Sequence, residues 1–252
     1  MKFFALFPFG YSVFTRFNTP RDFAYLVATQ WLPGIWLVYR LSENDLLDSI
    51  VVYAIGYLTF IAIYELGYFL NDTWDAKRLA GFRNRLPFAV GPGYAAVFFL
   101  LRISLWVAIS IHFELITSLY WLSAYSALAI VFLIHNVLEQ PHFRIASFVQ
   151  LAYLRFTIPI LFGIGIEDFL LLFFICSIFY VHFRSLAYLD SKEFLQMPER
   201  RNRDFGMVQT AIFAPIVIMV YLIMPRPVLL ELLVYFAAFY TIYFLADRNR
   251  HG

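Results

Sequence analysis

Eight apolar stretches, each about as long as a bilayer is thick, dominate this chain. A helix of about 20 apolar residues crosses the ~30 Å hydrocarbon core of a bilayer. Because backbone polar groups cannot bond to water there, a spanning structure must be a helix or a closed barrel. With 62% hydrophobic and 14% charged residues, the composition is far from that of a soluble domain. The sequence therefore predicts an all-α, polytopic transmembrane helical bundle with about eight spans. The predicted spans are 23–40, 46–70, 93–111, 115–134, 145–166, 169–189, 207–224 and 228–246.

The distribution of lysine and arginine predicts the orientation of these spans. With eight spans and an internal N-terminus, 14 of the 19 basic residues lie on one side, 2 on the other and 3 within spans. By the positive-inside rule the crowded side is cytoplasmic. We predict a cytoplasmic or interfacial N-terminal segment (1–22), a single transmembrane helical domain (23–246) and a cytoplasmic tail (247–252). We expect a multi-pass integral protein of a bacterial inner membrane, surrounded by the lipid bilayer and without a nucleic-acid partner.

Cysteine and histidine exclude two kinds of site. The single cysteine, Cys176, cannot form an intramolecular disulfide, and its apolar surroundings predict a small packed side chain. The five histidines do not show the spacing of a zinc set. No functional role is assigned to any of these histidines.

The clearest polar motif ends the second predicted span. Asn71, Asp72 and Asp75 follow a long apolar run, and the two aspartates are three residues apart, which places them on one face of an α-helix. Carboxylate oxygens suit Mg²⁺, which shares its remaining positions with waters and substrate phosphates. Cations that could bind phosphate oxygens follow directly. The candidates among them are Lys77, Arg83 and Arg85.

A second acidic pair ends the sixth predicted span. Asp190 and Glu193 are again three residues apart, with Lys192 between them and more arginines after them. Two such pairs on the same membrane face could hold Mg²⁺ against a diphosphate. The alternative is that both pairs are solvated helix ends, because charged residues are common at membrane interfaces. Matched pairs on two spans favour a metal and phosphate site.

The order of these motifs resembles that of the UbiA superfamily of intramembrane prenyltransferases. Its first signature has the form NDxxDxxxD followed by an arginine-rich segment, which Asn71-Asp72-x-x-Asp75 and Arg83-x-Arg85-x-Pro87 resemble. Asp190 follows the sixth span as the family's second acidic motif does. The chain departs from the pattern in having Leu79 at the last aspartate position, Asp190-x-x-Glu193 as second motif and eight predicted spans instead of nine.

The resemblance implies a helical bundle with a central cavity open to the cytoplasmic side. It implies a Mg²⁺-dependent prenyltransferase that moves a prenyl group from a prenyl diphosphate to a lipophilic acceptor. The implied catalytic residues are Asp72, Asp75 and Asp190, and Glu193 joins these three as an implied ligand of the metal. The implied substrate-binding residues are Asn71, Lys77, Arg83, Arg85, Arg155 and Lys192.

Two alternatives stay open at this point. One branch of the superfamily transfers phosphoribose from phosphoribosyl diphosphate to a polyprenyl phosphate, and the segment from Leu138-Glu139 to Arg155 and Gly163 loosely resembles it. A transporter or lipid-binding protein would also explain the spans, although it does not require two acidic pairs. A CDP-alcohol phosphotransferase is disfavoured because the chain lacks the DGxxAR segment of that class.

Among the charged residues inside the predicted spans, Arg155, Arg102 and Glu65 lie deep enough to need partners. An arginine at a helix centre costs about 2.5–3.5 kcal/mol on insertion scales, so it should face the protein interior. For Arg155 the sequence favours a phosphate and a structural ion pair equally, whereas Arg102 is expected to be structural. Glu65 lies two helical turns before Asp72, and a structural pairing is expected for it, with Arg155 as one candidate partner.

Overall fold

The computed structural model describes residues 2–17, 19–75, 85–86, 88–198 and 204–248, and all of their side chains except those of residues 75, 247 and 248. The described chain is all-helical and has no strand. Of the residues predicted to form a site, Lys77 and Arg83 lie outside the described ranges. The side chain of Asp75 lies outside them as well.

The described residues form nine helices, all of them built from apolar runs except the first. Helix α1 is Gly10–Thr15, preceded by a 3-10 turn at Phe4–Leu6. Two helices contain a π-helical turn in their middle, and a third ends in one. The remaining bounds are α2 (Pro20–Leu26, π-helical Val27–Trp31, Leu32–Leu41), α3 (Leu46–Leu70, π-helical Asn71–Asp75), α4 (Pro92–His112), α5 (Leu119–Val137), α6 (Pro141–Leu161), α7 (Phe169–Cys176, π-helical Ser177–Val181, His182–Ser191), α8 (Phe205–Ile223) and α9 (Val228–Arg248).

A helix is present at each of the eight predicted positions, but only six of the described helices are long and apolar enough to cross a membrane. These six are α3, α4, α5, α7, α8 and α9. The protein is thus a multi-pass membrane protein. The predicted count of eight spans and the predicted cytoplasmic side of the termini and of a central cavity stay predictions.

The other two helices, α2 and α6, carry polar residues that are hydrogen-bonded within the protein. The Gln30 side-chain amide donates to the Arg155 carbonyl oxygen at 2.9 Å, and Arg155 Nε donates to Gln30 Oε1 at 3.3 Å. A polar side chain satisfied in this way does not have to reach water. These two helices contact each other and α3, so their polar side chains have partners inside the protein.

The chain divides into two compact units, Met1–Phe169 and Leu170–Gly252. In the first unit α3 packs against α2, α4, α5 and α6. Close packing needs glycine at two points of α3: a Cβ at Gly67 would overlap the ring of Phe132, and one at Gly56 would overlap the Pro159 carbonyl oxygen. In the second unit α8 packs against α9, and the rings of Phe179 and Phe236 stack with centroids 5.0 Å apart.

Candidate functional site

The candidate site lies at the end of α3, where the backbone changes from α-helical to π-helical. Residues Asn71–Asp75 form this turn, with the wider i→i+5 hydrogen-bond pattern of a π-helix. The α-helical spacing that placed Asp72 and Asp75 on one face does not apply to this turn. Such turns occur frequently at functional sites. The carboxylate of Asp72 is buried, with only 1% of the side chain exposed.

The N-terminal segment supplies both described partners of Asp72. The Tyr11 hydroxyl donates to Asp72 Oδ2 at 2.8 Å, and Arg16 Nη2 lies 3.0 Å from the same oxygen. Tyr11 is fully buried against Phe69 and Phe98, with ring centroids 6.1 and 5.5 Å away. The segment predicted to be cytoplasmic or interfacial therefore contacts the end of α3 directly.

Tyr11 stays protonated in this position. Burial raises the pKa of its phenol far above the usual value, and the negative charge of Asp72 raises this pKa further. A protonated phenol can donate its hydrogen to the carboxylate, as the 2.8 Å contact with Asp72 Oδ2 shows. Tyr11 therefore fixes the orientation of Asp72 without competing with it for charge.

Two turns deeper along α3, Glu65 forms a second buried acidic site. Its Oε2 lies 2.7 Å from Arg102 Nη2, and neither side chain has any exposed surface. Glu65 also accepts backbone hydrogen bonds from Phe9 at 3.1 Å and from Ser12 at 2.7 Å, which are groups at the start of α1. A carboxylate at this position satisfies unpaired N–H groups of the helix and complements its dipole.

Arg102 binds the turn that precedes α1. Its Nη2 donates to the carbonyl oxygens of Ala5 at 3.1 Å and Phe7 at 2.9 Å, and its guanidinium lies 4.5 Å from the centre of the Phe98 ring. The expected structural role of Arg102 agrees with this geometry. Glu65 pairs with Arg102 instead of Arg155, because α4 and the N-terminal segment meet α3 on this side.

Tyr68 connects the Asp72 site to Arg155. The guanidinium of Arg16 lies 4.1 Å from the centre of the Tyr68 ring, which is a cation–π distance. On the same side chain, the Tyr68 hydroxyl accepts a hydrogen bond from Arg155 Nη1 at 3.0 Å. Arg155 also lies 5.7 Å from the centre of the Tyr64 ring. Tyr68 thus contacts two guanidiniums, one of which also pairs with Asp72.

The remaining predicted residues of the first unit contribute less to this geometry. Asn71 is half-buried, and its Oδ1 has no hydrogen-bond partner among the described residues. Arg85 is exposed. The predictions for Asp75, Lys77 and Arg83 fall on the side chains that the structure does not describe.

The second acidic pair lies in the second unit, at the end of α7. Asp190 Oδ1 accepts the backbone N–H of Met197 at 3.2 Å, which closes the loop after the helix. Lys192 and Glu193 are exposed, and Glu193 has a left-handed backbone conformation with φ 61°. Within its own unit, Asp190 therefore has a local role in shaping the loop, and its predicted part in a metal site stays a prediction.

The donor chemistry around Asp72 fits part of a Mg²⁺ site. Across the described parts of the chain, no group of three His, Cys, Asp or Glu side chains is placed to hold a metal ion. Asn71 and Asp72 nevertheless offer oxygen atoms at consecutive positions, and a buried oxygen without a partner, such as Asn71 Oδ1, is the kind of atom that an ion or water satisfies. Mg²⁺ is commonly held by one or two carboxylates together with waters and substrate phosphates.

The N-terminal segment, which supplies Tyr11 and Arg16, also forms a groove with the start of α2. It is open, has a volume of about 410 Å³, and is mostly apolar and aromatic. Such a lining suits an apolar chain more than a polar solute. The residues that line the groove are Phe9, Val13, Phe17, Thr19, Pro20 and Phe23.

Sequence reasoning missed Tyr11 and Arg16 as members of the site. Both precede the first long apolar run, in a stretch whose composition is typical of an interfacial segment. One signal was present: α3 carries Glu65 and Asp72 seven residues apart, so both carboxylates share about the same helix face and need partners from a neighbouring element.

No family model matches this chain, and neither the curated proteins nor the solved structures include a match. The function must therefore be argued from the site itself.

Proposed function

We propose that this protein is an intramembrane transferase that acts on a phosphorylated isoprenoid lipid. In the proposed reaction, the prenyl group of a prenyl diphosphate moves to a lipophilic acceptor. One observation carries the proposal: Asp72 is buried at the end of an apolar helix and pairs with Arg16, and the guanidiniums of Arg16 and Arg155 both contact Tyr68. Arginine binds phosphate oxygens in a bidentate manner, which a flexible lysine does not.

The reaction chemistry requires the groups that lie around Tyr68. The allylic C–O bond of a prenyl diphosphate breaks, the diphosphate leaves with the electron pair, and the acceptor forms a bond to the carbon and loses a proton. Arg16 and Arg155 would stabilise the negative charge on the leaving oxygen. The faces of Tyr64 and Tyr68 would stabilise positive charge on the prenyl chain.

The metal belongs to the proposal through the residues that would hold it. Asn71 and Asp72 would provide oxygen ligands to Mg²⁺, with Asp75 as a further candidate from the undescribed side chains. When bound, Mg²⁺ would supply Lewis-acid stabilisation of the diphosphate. The proposed role of Asp72 is to hold the Mg²⁺ ion next to the arginines, where its negative carboxylate offsets part of their positive charge.

The test is product formation by purified protein in lipid bilayers. Protein with Mg²⁺, prenyl diphosphates of several lengths and phenolic or quinol acceptors is incubated, and the lipid fraction is analysed by mass spectrometry. We expect a prenylated acceptor, and we expect Asp72→Asn to reduce its formation by about 100-fold or more, the loss typical when a stabilising group is removed. The matched control is Asp45→Asn at the other end of α3, where asparagine can keep the N-cap bond to Asp48.

Three outcomes would change the assignment. Equal product yield from wild-type protein and Asp72→Asn would contradict the proposed role of the site. In a parallel incubation, phosphoribosyl diphosphate with polyprenyl phosphate replaces the prenyl substrates, and a ribosylated lipid there would assign phosphoribosyl transfer instead. Thermal stabilisation by a solute without Mg²⁺, with no lipid product in either incubation, would favour a transporter or lipid-binding protein.

A further inference from the structure

The contact between Arg16 and Asp72 is close but poorly aligned. The Nη2 and Oδ2 atoms are 3.0 Å apart, yet Nη2 makes no hydrogen bond with any residue that the structure describes. The Arg16 side chain is 14% exposed, whereas that of Asp72 is 1% exposed. Arg16 is therefore the member of this ion pair that has exposed surface, although its Nη2 atom is itself buried against Asp72.

We propose that Arg16 is a phosphate-binding residue that exchanges partners. With no ligand bound, its positive charge neutralises Asp72. When a divalent cation binds Asp72, Arg16 leaves this carboxylate and binds an oxygen of the phosphate that accompanies the cation. This inference rests on the proposed function, because it assumes that a metal ion and a phosphorylated ligand meet at Asp72.

The local fold allows Arg16 to move while the rest of the segment stays in place. Arg16 directly follows the last residue of α1, and its φ of −124° is already outside the helical range. The start of α1 is fixed more firmly, because Phe9 and Ser12 donate backbone hydrogen bonds to Glu65. A change in the Arg16 side chain therefore does not require the segment to leave the protein.

The surroundings of Asp72 favour this exchange energetically. Tyr11 keeps its 2.8 Å hydrogen bond to Asp72 after Arg16 departs, so the carboxylate keeps its orientation. The incoming cation replaces the positive charge of Arg16, and the buried carboxylate does not become an uncompensated charge. Arg16 lies over the ring of Tyr68, whose hydroxyl contacts Arg155, so a phosphate that reaches one guanidinium comes close to the other.

The exchange predicts opposite effects of one substitution on two ligands. In Arg16→Gln, Asp72 has lost its competing cation, so the affinity for Mn²⁺ alone should increase about fivefold to tenfold. The affinity for inorganic diphosphate in the presence of Mg²⁺ should decrease about tenfold, the typical effect of losing one charge-assisted hydrogen bond. Both affinities are measured by calorimetry on purified full-length protein in detergent. A residue with only a structural role would not shift the two affinities in opposite directions.

Three further variants make the result specific. Asp72→Asn should abolish the Mn²⁺ binding that Arg16→Gln strengthens. Arg16→Lys keeps the charge beside Asp72 but lacks the planar fork, so Mn²⁺ affinity should stay near wild type while diphosphate affinity falls about threefold. Lys2→Gln changes a cation on the same segment that lies 5.7 Å from the Phe88 ring, and neither affinity should change.

The results separate this inference from the proposed function. Unchanged or weaker Mn²⁺ binding in Arg16→Gln would overturn the exchange, and so would Mn²⁺ binding that survives in Asp72→Asn or a diphosphate affinity that does not depend on Arg16. If any of these results is obtained while prenyl transfer still depends on Asp72, the exchange is wrong but the proposed transferase function stands. Opposite shifts without any lipid product would support the exchange and contradict the transferase.

Discussion

Glu65 and Asp72 lie on one helix and both pair with an arginine, but their surroundings differ. The Glu65–Arg102 pair has no exposed surface, and backbone groups of the N-terminal segment bond to Glu65 and to Arg102 Nη2, whereas Arg102 Nε and Nη1 have no hydrogen-bond partner among the described residues. The Asp72–Arg16 pair lies at the end of the same helix, with a partly exposed arginine and a backbone that has become π-helical. The difference suggests that the deeper pair fixes the fold, whereas the outer pair is able to exchange ligands.

Breaking the Glu65–Arg102 pair should destabilise the protein more than breaking the Asp72–Arg16 pair. Removing one partner of a fully buried ion pair leaves an uncompensated charge and costs about 3–5 kcal/mol. At Asp72 the loss of Arg16 opens a path for water, and Tyr11 still donates its hydrogen bond. A graded set of substitutions along α3 and α1 can therefore test which carboxylate is structural.

The largest effect is expected for Arg102→Gln. Glu65 would stay buried without its cation, and the carbonyl oxygens of Ala5 and Phe7 would lose their donor. We expect the free energy of unfolding in mixed micelles to fall by about 3–5 kcal/mol. Arg226→Gln, at an exposed arginine, is the control and should change it by less than about 0.5 kcal/mol. Equal effects of the two substitutions would mean that the deeper pair does not fix the fold.

A smaller effect is expected for Tyr11→Phe. The substitution keeps the ring against Phe69 and Phe98 but removes the hydrogen bond to Asp72. Leaving the carboxylate without this donor should cost about 1–3 kcal/mol in the free energy of unfolding. Because Tyr11 orients Asp72, transfer activity should fall as well.

The control for Tyr11→Phe is Tyr235→Phe, which removes a tyrosine hydroxyl from the second unit, outside the site. Transfer activity should stay near wild type in this variant. If Tyr11→Phe alters neither stability nor transfer, then the phenol does not hold Asp72 and the outer site is less ordered than its geometry indicates.

The sequence predicts the helices of this protein better than it predicts the site. Apolar runs of bilayer length locate a helix at all eight expected positions, because the hydrophobic requirement acts on each run separately. The partners of Glu65 and Asp72 depend on how a short N-terminal segment folds against α3, which no local pattern determines. The π-helical turn at Asn71–Asp75 was missed for the same reason, since the sequence there also fits an α-helix.

The two helices that are not apolar enough to count as spans carry polar residues with partners inside the protein. Gln30 on α2 and Arg155 on α6 lower the apolar content of their helices, yet they hydrogen-bond to each other. A hydropathy count treats each such residue as a cost, whereas its real cost depends on a partner 125 residues away. The sequence left the partner of Arg155 open, and the structure places Gln30 and Tyr68 beside it.

The smallest effect is expected for Ser12→Ala, which tests whether the Ser12 hydroxyl contributes to the Glu65–Arg102 pair. Ser12 donates its backbone N–H to Glu65 at 2.7 Å, whereas its buried Oγ has no hydrogen-bond partner among the described residues. Removing this hydroxyl leaves the bond to Glu65 intact and places a better helix former in α1. We expect the free energy of unfolding to change by less than about 0.5 kcal/mol, and Mn²⁺ affinity to stay at the wild-type value. A loss above about 1 kcal/mol would mean that the hydroxyl itself holds the deeper site together, for example through a buried water that Ser12 shares with Arg102.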